Sequence, residues 1–162
     1  MKVTIRTKNG AVLSPFERKA IRHAATFYAN TLLSNRVADK LDIKINIIGN
    51  YLKDNKVVAD VTPVDDDVNY RPKEFEINMD RVKRLKSMLY SLGHEFVHVK
   101  QFAKGELKYH SLNNRVTFNR MQYEGECYWD SPWEIEAYGR EPGLWYKFKP
   151  IYKHLLRENR NG

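Results

Sequence analysis

The chain has 162 residues, of which 42% are hydrophobic and 12% aromatic, and it carries a formal net charge of +8. This length and composition suit one globular domain, spanning 1–162, and exclude a disordered chain. A single cysteine excludes an internal disulfide and a cysteine-rich zinc module. The basic balance favours polyanions or acidic substrates as partners, although many proteins carry such charge on a solvated surface.

The first ten residues carry no apolar segment of the kind that forms the centre of a signal peptide. No apolar run elsewhere approaches the length needed to span a membrane. We therefore expect a soluble protein that makes no membrane contact and stays in the cytoplasm, where it is synthesised.

The N-terminal segment predicts a strand followed by a long helix. Apolar and polar residues alternate over 2–6, which is typical of a short strand. Ser14, Pro15 and Glu17 form the signature of a helix start, with Ser14 as N-cap, proline at the first helical position and Glu17 closing a capping box. Apolar residues then keep helical spacing as far as Leu32, so one face of this helix should belong to the core.

The next region predicts a β-hairpin and a loop. The isoleucine-rich segment 42–48 and the segment 57–61 should be strands, with Asp54 and Asn55 at the tip of the hairpin between them. The three aspartates at 65–67 should lie in a loop. They lack the spacing and the closing glutamate of a calcium-binding hand, which disfavours calcium.

Alternating residues over 73–79 predict a strand that leads directly into a central helix, with Asp80 as the helix N-cap. Apolar residues surround most of this helix, so its middle should be buried. Gly93 costs about 1 kcal/mol relative to alanine in a helix interior, and we therefore expect a close neighbour there. The basic residues near the helix start should face solvent; these are Arg81, Lys83, Arg84 and Lys86.

The C-terminal third predicts a hairpin and two helices. Residues 116–118 and 121–123 flank Asn119-Arg120, a possible tight turn. Asp130 or Ser131 should cap a helix that starts at Pro132. Pro142-Gly143 should end that helix, and 144–156 should form a last amphipathic helix. The predicted fold class is α+β, a small mixed or antiparallel sheet packed on the long N-terminal helix and the central helix, with C-terminal helices.

The central helix contains the sequence His94-Glu95-Phe96-Val97-His98. The two histidines are one helical turn apart and project from the same face. Two neutral imidazoles at this spacing can share one zinc ion, and Glu95 is then close enough to act on a metal-bound water. The alternative is a buried helix whose histidines are satisfied by neighbours, with Glu95 in a salt bridge.

A catalytic zinc site needs a third protein ligand. The downstream candidates are His110, Glu124, Glu126, Glu134 and Glu136. A rigidly held ligand favours the helix that starts at Pro132. Glu134 and Glu136 lie about 200° apart around a helix and cannot both face one ion. Because the small Ala137 shares the face of Glu134 and would allow close packing, Glu134 is the predicted ligand and Glu136 the reserve.

The motif and its surroundings resemble a known enzyme family. An alternating strand leads into the His-Glu-x-x-His helix, and Glu-x-x-Ala follows on a later helix. This order resembles the zincin zinc metallopeptidases and, among them, the gluzincins, whose third ligand is glutamate. The segments LGHEFVHVKQFAKGEL and YWDSPWEIEAYGRE are similar to small metallopeptidase-like proteins encoded by tailed bacteriophages. The resemblance covers 73–141, and the first 70 residues match only as a generic strand-helix-strand scaffold.

The resemblance implies a role for each residue of the site. His94, His98 and Glu134 would bind one catalytic Zn²⁺, and Glu95 would be the general base that takes a proton from water as it attacks a peptide carbonyl. The strand over 73–79 would edge the cleft and pair with an extended peptide or protein substrate. If the protein is viral, its expected location is the host-cell cytoplasm.

The chain also departs from the family pattern. Several relatives place Asp after Glu-x-x-Ala to support a histidine, whereas this chain has Tyr138, so the partners of the imidazoles are not assigned. We hypothesise that Tyr138, one turn beyond Glu134, stabilises the oxyanion. His110 and Tyr128 are the other candidates for this role, and the alternative for Tyr138 is a place in the core. Peptide deformylases share the motif with cysteine as third ligand, but 124–127 resembles their cysteine segment only loosely.

Three functions are compatible with this sequence. The first is a zinc-dependent metallopeptidase acting on peptide or protein. The second is a DNA-associated protease of the Spartan type, suggested by the basic charge and by a basic face that would bind nucleic acid weakly and without sequence specificity: Lys147, Lys149, Lys153, Arg157 and Arg160. The third is a catalytically silent, zinc-stabilised structural or binding module of a virus particle.

Overall fold

A four-stranded mixed sheet forms the centre of the fold in the computed structural model, which describes residues 1–65, 71–82, 84–110, 115–125 and 127–161. Its strands are β1 (Lys2–Lys8), β2 (Asp42–Ile48), β3 (Ala59–Pro63) and β4 (Glu74–Asp80). β1, β2 and β4 are parallel, and β3 runs antiparallel to β4 at one edge, in the order β1-β2-β4-β3. With the helices that cover it, this sheet confirms the predicted α+β class.

Five α-helices accompany the sheet within the described ranges. They are α1 (Pro15–Leu32), α2 (Asn35–Ala38), α3 (Tyr51–Asn55), α4 (Leu85–Ala103) and α5 (Pro132–Asn161). α1 begins at the predicted capping box, in which Glu17 N–H donates to Ser14 Oγ and Ser14 N–H donates to the Glu17 carboxylate. None of the described helices is both long and apolar enough to cross a membrane.

A second, three-stranded antiparallel sheet follows α4. It consists of β5 (Leu107–His110), β6 (Arg115–Phe118) and β7 (Met121–Tyr123). The predicted hairpin between β6 and β7 is confirmed, because Asn119 and Arg120 adopt left-handed conformations with φ of 49° and 72°. A two-residue turn with both φ values positive matches the twist of the strands it joins.

The core lies between one face of the larger sheet and helices α1 and α4. Phe75, Ile77 and Met79 of β4 are buried on that face, as their alternation predicted. α5 packs across both helices, and its Phe148 ring lies 5.6 Å from the ring of Tyr28 on α1. Because burial of such apolar surface dominates folding, this contact fixes α5 relative to the sheet and α4.

The predicted hairpin between β2 and β3 is wrong. Residues 51–55, which include the predicted tip, form α3, with left-handed Asn50 and Lys56 at its two ends. Both edges of β2 are occupied, by β1 and β4, so β3 pairs with the outer edge of β4 instead. β2 buries Asn46 and Ile48 in addition to its inward isoleucines, as an interior parallel strand does.

The predicted N-cap role of Asp80 is also wrong. Asp80 is the last residue of β4, its carboxylate accepts a hydrogen bond from Leu52 N–H, and α4 begins only at Leu85. The linking segment contains Arg81, whose guanidinium makes a largely enclosed ion pair with Glu17 at 2.7 Å instead of facing solvent. Of the other basic residues predicted to be solvated, Arg84 and Lys86 are exposed, and Lys83 lies outside the described residues.

The helix break predicted at Pro142-Gly143 is absent, because α5 is continuous from Pro132 to Asn161. Proline inside a helix removes one hydrogen bond and costs about 3 kcal/mol. Here the packing on both sides offsets that cost, since Ala137 is buried before the proline and Trp145 and Phe148 after it. Pro142 itself is exposed, so water can reach the backbone where the helical bond is lost.

Candidate metal centre

The side chains of His94, His98 and Glu134 converge at a buried point between α4 and α5. The Nε2 atoms of the two histidines are 3.1 Å apart. Glu134 Oε2 lies 3.3 Å from His94 Nε2, and Glu134 Oε1 lies 3.4 Å from His98 Nε2. One ligand atom from each residue lies within 4.8 Å of the others, so this group could hold a metal ion. The structure thus brings together the three ligands predicted from the sequence.

Close packing of three helices positions these ligands. A Cβ atom at Gly93 would lie 3.5 Å from the Tyr28 ring and 3.8 Å from Leu144, so α1 and α5 both approach α4 just before His94. This confirms the close neighbour expected at Gly93. On α5, the fully buried Ala137 lets the first turns of that helix lie against α4. The spacing of the three ligands therefore depends on helix packing and not on a flexible loop.

The other ring nitrogen of each histidine faces an acceptor. His94 Nδ1 lies 3.0 Å from Glu141 Oε2, and His98 Nδ1 lies 2.8 Å from Gln101 Oε1. A carboxylate or an amide oxygen can only accept, so both Nδ1 atoms donate a proton. In the neutral imidazoles the lone pairs are then on the Nε2 atoms, which point at each other and at Glu134.

The amide of Gln101 is itself oriented by its neighbours. Its Nε2 donates to the backbone carbonyl of Trp133 and to Glu136 Oε2, both at 3.0 Å, which leaves Oε1 facing His98. Glu136 in turn contacts Lys100 and Arg140, each at 2.7 Å. Burial would raise the pKa of Glu136, but Lys100 and Gln101 lower it below its usual range. Glu136, the reserve ligand, is thus committed to this network and not to the metal centre.

The three converging groups need a positive charge between them. Two Nε2 lone pairs and a carboxylate repel one another, and Glu134 Oε2 is buried without a hydrogen-bond partner among the described residues. Burial alone would lower the pKa of His94, but the carboxylates of Glu134 and Glu141 raise it to about 9. Burial would raise the pKa of Glu134, but His94, His98 and Tyr128 lower it to about 2. Either a proton or a metal ion fits here, and two imidazoles with one carboxylate suit zinc.

Glu95 lies beside the cluster and is only 4% exposed. Burial raises the pKa of its carboxyl group to about 7, although the neighbouring His98 and His94 act in the opposite direction. A carboxyl group with a pKa near neutrality can both accept and release a proton under physiological conditions.

A cleft of about 520 Å³, here called the metal cleft, contains His94 and Glu95 in its lining. Its walls also include Lys56, Val57, Val58, Ala59, Ser91, Tyr128, Trp129, Tyr138 and Glu141. Tyr138 lies next to the cluster, with its ring 4.6 Å from the His94 ring and its hydroxyl 3.4 Å from that of Tyr128. Burial and hydrogen bonds to Tyr138 and Glu134 raise the pKa of Tyr128, so it remains a donor. Both tyrosines are placed to contact a ligand in the cleft.

The strand at the cleft is not the one expected. The strand predicted over 73–79 is β4, which lies between β2 and β3 and has both edges paired. The open edge belongs to β3, and Ala59 at its start lines the metal cleft. A pairing partner could therefore add only to β3 on this side of the sheet.

The remaining predicted candidates lie elsewhere. His110 is exposed and contacts the Thr117 hydroxyl at 2.9 Å, while Glu124 pairs with Arg115 on the second sheet. Cys127 is exposed and does not join the cluster. Glu126 lies outside the described residues.

Sequence reasoning missed the two residues that orient the imidazoles, Gln101 and Glu141. Their spacing carried a signal. Gln101 is three residues after His98, and Glu141 is seven residues after Glu134, so each shares a helix face with a ligand. The prediction that a helix ends at Pro142 concealed this second relation, because it placed Glu141 at a frayed terminus.

No protein-family model, no curated protein and no solved structure matches this chain. The resemblance to zincins therefore stays a prediction from the sequence motif.

Proposed function

We propose that this protein is a zinc-dependent metallopeptidase of the zincin type. The observation that carries the proposal is the convergence of His94, His98 and Glu134 on one buried point, next to a cleft that His94 and Glu95 line. Two histidines, one carboxylate and an adjacent second carboxylate are the side chains that metal-assisted hydrolysis of a peptide bond requires.

The residues would divide the chemistry as follows. A zinc ion held by the three ligands would act as a Lewis acid, which makes water a nucleophile near neutral pH and polarises a carbonyl group. Glu95 accepts a proton from the attacking water while the water oxygen bonds to the carbonyl carbon. Glu95 then gives that proton to the leaving nitrogen as the carbon–nitrogen bond breaks. Tyr138 is the proposed donor to the oxyanion that develops on the carbonyl oxygen.

The cleft suits an extended peptide as substrate. No described strand pairs with the outer edge of β3 next to the metal cleft, and an added strand would hydrogen-bond to that edge along the backbone. The opposite wall is aromatic, with Trp129 67% exposed and Tyr128 49% exposed. Exposed aromatic side chains at the mouth of a cleft provide apolar contact for a substrate side chain.

The test combines zinc content with turnover of an unfolded protein such as reduced casein. Wild-type protein should bind one equivalent of zinc and cleave the substrate. Glu95→Gln should keep the zinc and lose roughly 10²- to 10⁴-fold in kcat, as expected for loss of a general base. Glu158→Gln, an exposed change of the same kind on α5, is the matched control and should cleave as wild type does.

Two results would contradict the proposal. Equal turnover by Glu95→Gln and wild type would show that Glu95 is not the general base. Stoichiometric zinc together with no cleavage of any unfolded substrate would favour the catalytically silent zinc-stabilised module instead.

A further inference from the structure

A second concavity, of about 530 Å³, lies away from the metal centre. We call it the basic concavity. It is lined by Arg36, Val37, Lys40, Arg71, Lys73, Ala103 and Lys104. Its five cationic side chains are all exposed, and none of the described residues that line it is acidic. Five positive charges in one lining are a large share of a chain whose net charge is +8.

The fold, and not a basic run of sequence, assembles this concavity. Arg36 lies in α2, Lys40 follows that helix, Arg71 and Lys73 precede β4, and Lys104 caps the end of α4. Three segments that are distant in sequence therefore bring their cations to one place. The concavity is separate from the metal cleft, because their linings share no residue and Lys104 is six residues after His98, roughly 9 Å along the axis of α4.

Most of these cations make no ion pair with the part of the chain that the structure describes. Lys104 pairs with Glu106 at 2.7 Å. Within the described residues, Arg36, Lys40, Arg71 and Lys73 make no ion pair. The nearby Asp65 uses its carboxylate to accept hydrogen bonds from the backbone N–H groups of Lys73 and Glu74.

Some cations elsewhere on the described surface pair with carboxylates, whereas those on the exposed face of α5 do not. Lys2 pairs with Asp42, Lys19 with Glu158, and Arg81 with Glu17. Like charges gathered without counter-charges repel one another and oppose the compact state. An anionic ligand would remove that repulsion, and the concavity, unlike the outer face of α5, gives such a ligand cations on several sides.

We propose that the basic concavity binds the phosphate groups of a nucleic acid strand. The cations are spread around an open concavity, and this arrangement matches a row of separate phosphates. One small anion could contact only some of these cations at a time. The guanidinium groups of Arg36 and Arg71 can each hold two phosphate oxygens. Val37 and Ala103 between the cations give an apolar floor for sugar or base. This proposal does not depend on zinc or on peptidase activity.

The test measures binding of a fluorescein-labelled single-stranded oligodeoxynucleotide of about 15 nucleotides to the full chain by fluorescence anisotropy. One variant combines Arg36→Gln, Lys40→Gln, Arg71→Gln and Lys73→Gln. The matched control combines Lys149→Gln, Lys153→Gln, Arg157→Gln and Arg160→Gln on the exposed face of α5. Each variant removes two lysines and two arginines, all exposed, so both have the same net charge.

The two variants should differ. At about 50 mM salt we expect the concavity variant to bind at least roughly tenfold more weakly than wild type, and the α5 control less than about threefold more weakly. We also compare the slope of log K against log salt concentration between about 50 and 200 mM salt. This slope should be shallower by about 2 to 3 for the concavity variant than for wild type, which corresponds to about 0.7 for each lost phosphate contact.

Three outcomes would overturn the proposal. The first is no binding by wild type at the lower salt concentration. The second is equal loss in the two variants, which would mean that net charge alone attracts the strand. The third is displacement of the labelled strand by poly-glutamate or tripolyphosphate as effectively as by unlabelled strand at equal charge, which would assign the concavity to an acidic peptide or to a free polyphosphate.

Discussion

The metal cleft and the basic concavity have nearly equal volumes, about 520 and 530 Å³, but opposite arrangements of charge. At the metal cleft the two histidines, Glu95 and Glu134 are buried, and each ring nitrogen has a named partner. In the basic concavity the cations are exposed, and most of them are unpaired within the described chain. Burying charged groups is costly unless every one is satisfied, whereas exposed charges cost little. The cleft should therefore be sensitive to single substitutions, and the concavity should tolerate several.

Removal of zinc should give the largest effect. If the three ligands hold zinc, a free concentration 100 times the dissociation constant stabilises the fold by about 2.7 kcal/mol. For a chain of this size that corresponds to roughly 5–10 °C in unfolding temperature. Thermal unfolding with zinc and after chelation measures the shift. Glu134→Ala should abolish it, and the fourfold concavity variant should keep it in full; a shift lost in both would mean that the two regions are not independent.

Tyr138→Phe should act on turnover and not on zinc. Loss of an oxyanion donor costs roughly 10²-fold in kcat, whereas the Tyr138 hydroxyl contacts Tyr128 and no ligand atom. Steady-state kinetics on the unfolded substrate, with zinc content measured on the same samples, separates the two effects. Unchanged kcat would assign Tyr138 to packing against His94 and leave Tyr128 as the candidate donor.

Gln101→Leu should weaken zinc binding by about 10- to 100-fold, the usual effect of losing a partner of a ligating histidine. The reason is that His98 Nδ1 would lose its acceptor and the ring could change tautomer. Competition with a chromogenic chelator measures the affinity, and the ¹⁵N shifts of His98 report the tautomer. Gln122→Leu, on the exposed β7, is the control. An unaltered tautomer in Gln101→Leu would show that helix packing alone orients the ring.

The smallest effect should come from the concavity. Neutralising Arg36, Lys40, Arg71 and Lys73 together removes mutual repulsion, so stability against urea should be unchanged or slightly higher at low salt. The difference should disappear at high salt, where exposed charges are screened. A marked loss of stability instead would mean that these side chains have structural partners, and the contrast with the metal cleft would fail.

Features that depend on neighbours in sequence were predictable. The start of α1 follows from Ser14 and Glu17, which exchange hydrogen bonds within one turn. The hairpin at Asn119 and Arg120 follows from two residues at its tip. The pairing of His94 with His98 follows from the pitch of a single helix. In each case the interacting groups are within four residues of one another.

Most features that depend on residues distant in the sequence could not be predicted. β2 pairs with β1 and β4, which are parallel to it and occupy both of its edges. The residues around Asp54 carry no information about these two strands. α5 continues through Pro142 because Trp145 and Phe148 are buried against other helices. The position of Glu134 beside the two histidines is an exception, since Ala137 on the same face indicated close helix packing. Gln101 was missed because its partners, Trp133 and Glu136, lie on the other helix.

The continuity of α5 has a consequence for the order of events during synthesis. Glu134 lies in its first turn, while Phe148, which fixes the helix against Phe27 and Tyr28, lies fourteen residues later. A growing chain that already contains all three ligands still lacks the packing that brings the third to the histidines. We therefore expect the nascent protein to stay without a completed metal site until the segment that contains Phe148 has left the ribosome. Under the proposed function, such an order would keep the unfinished chain from cleaving itself or nearby proteins.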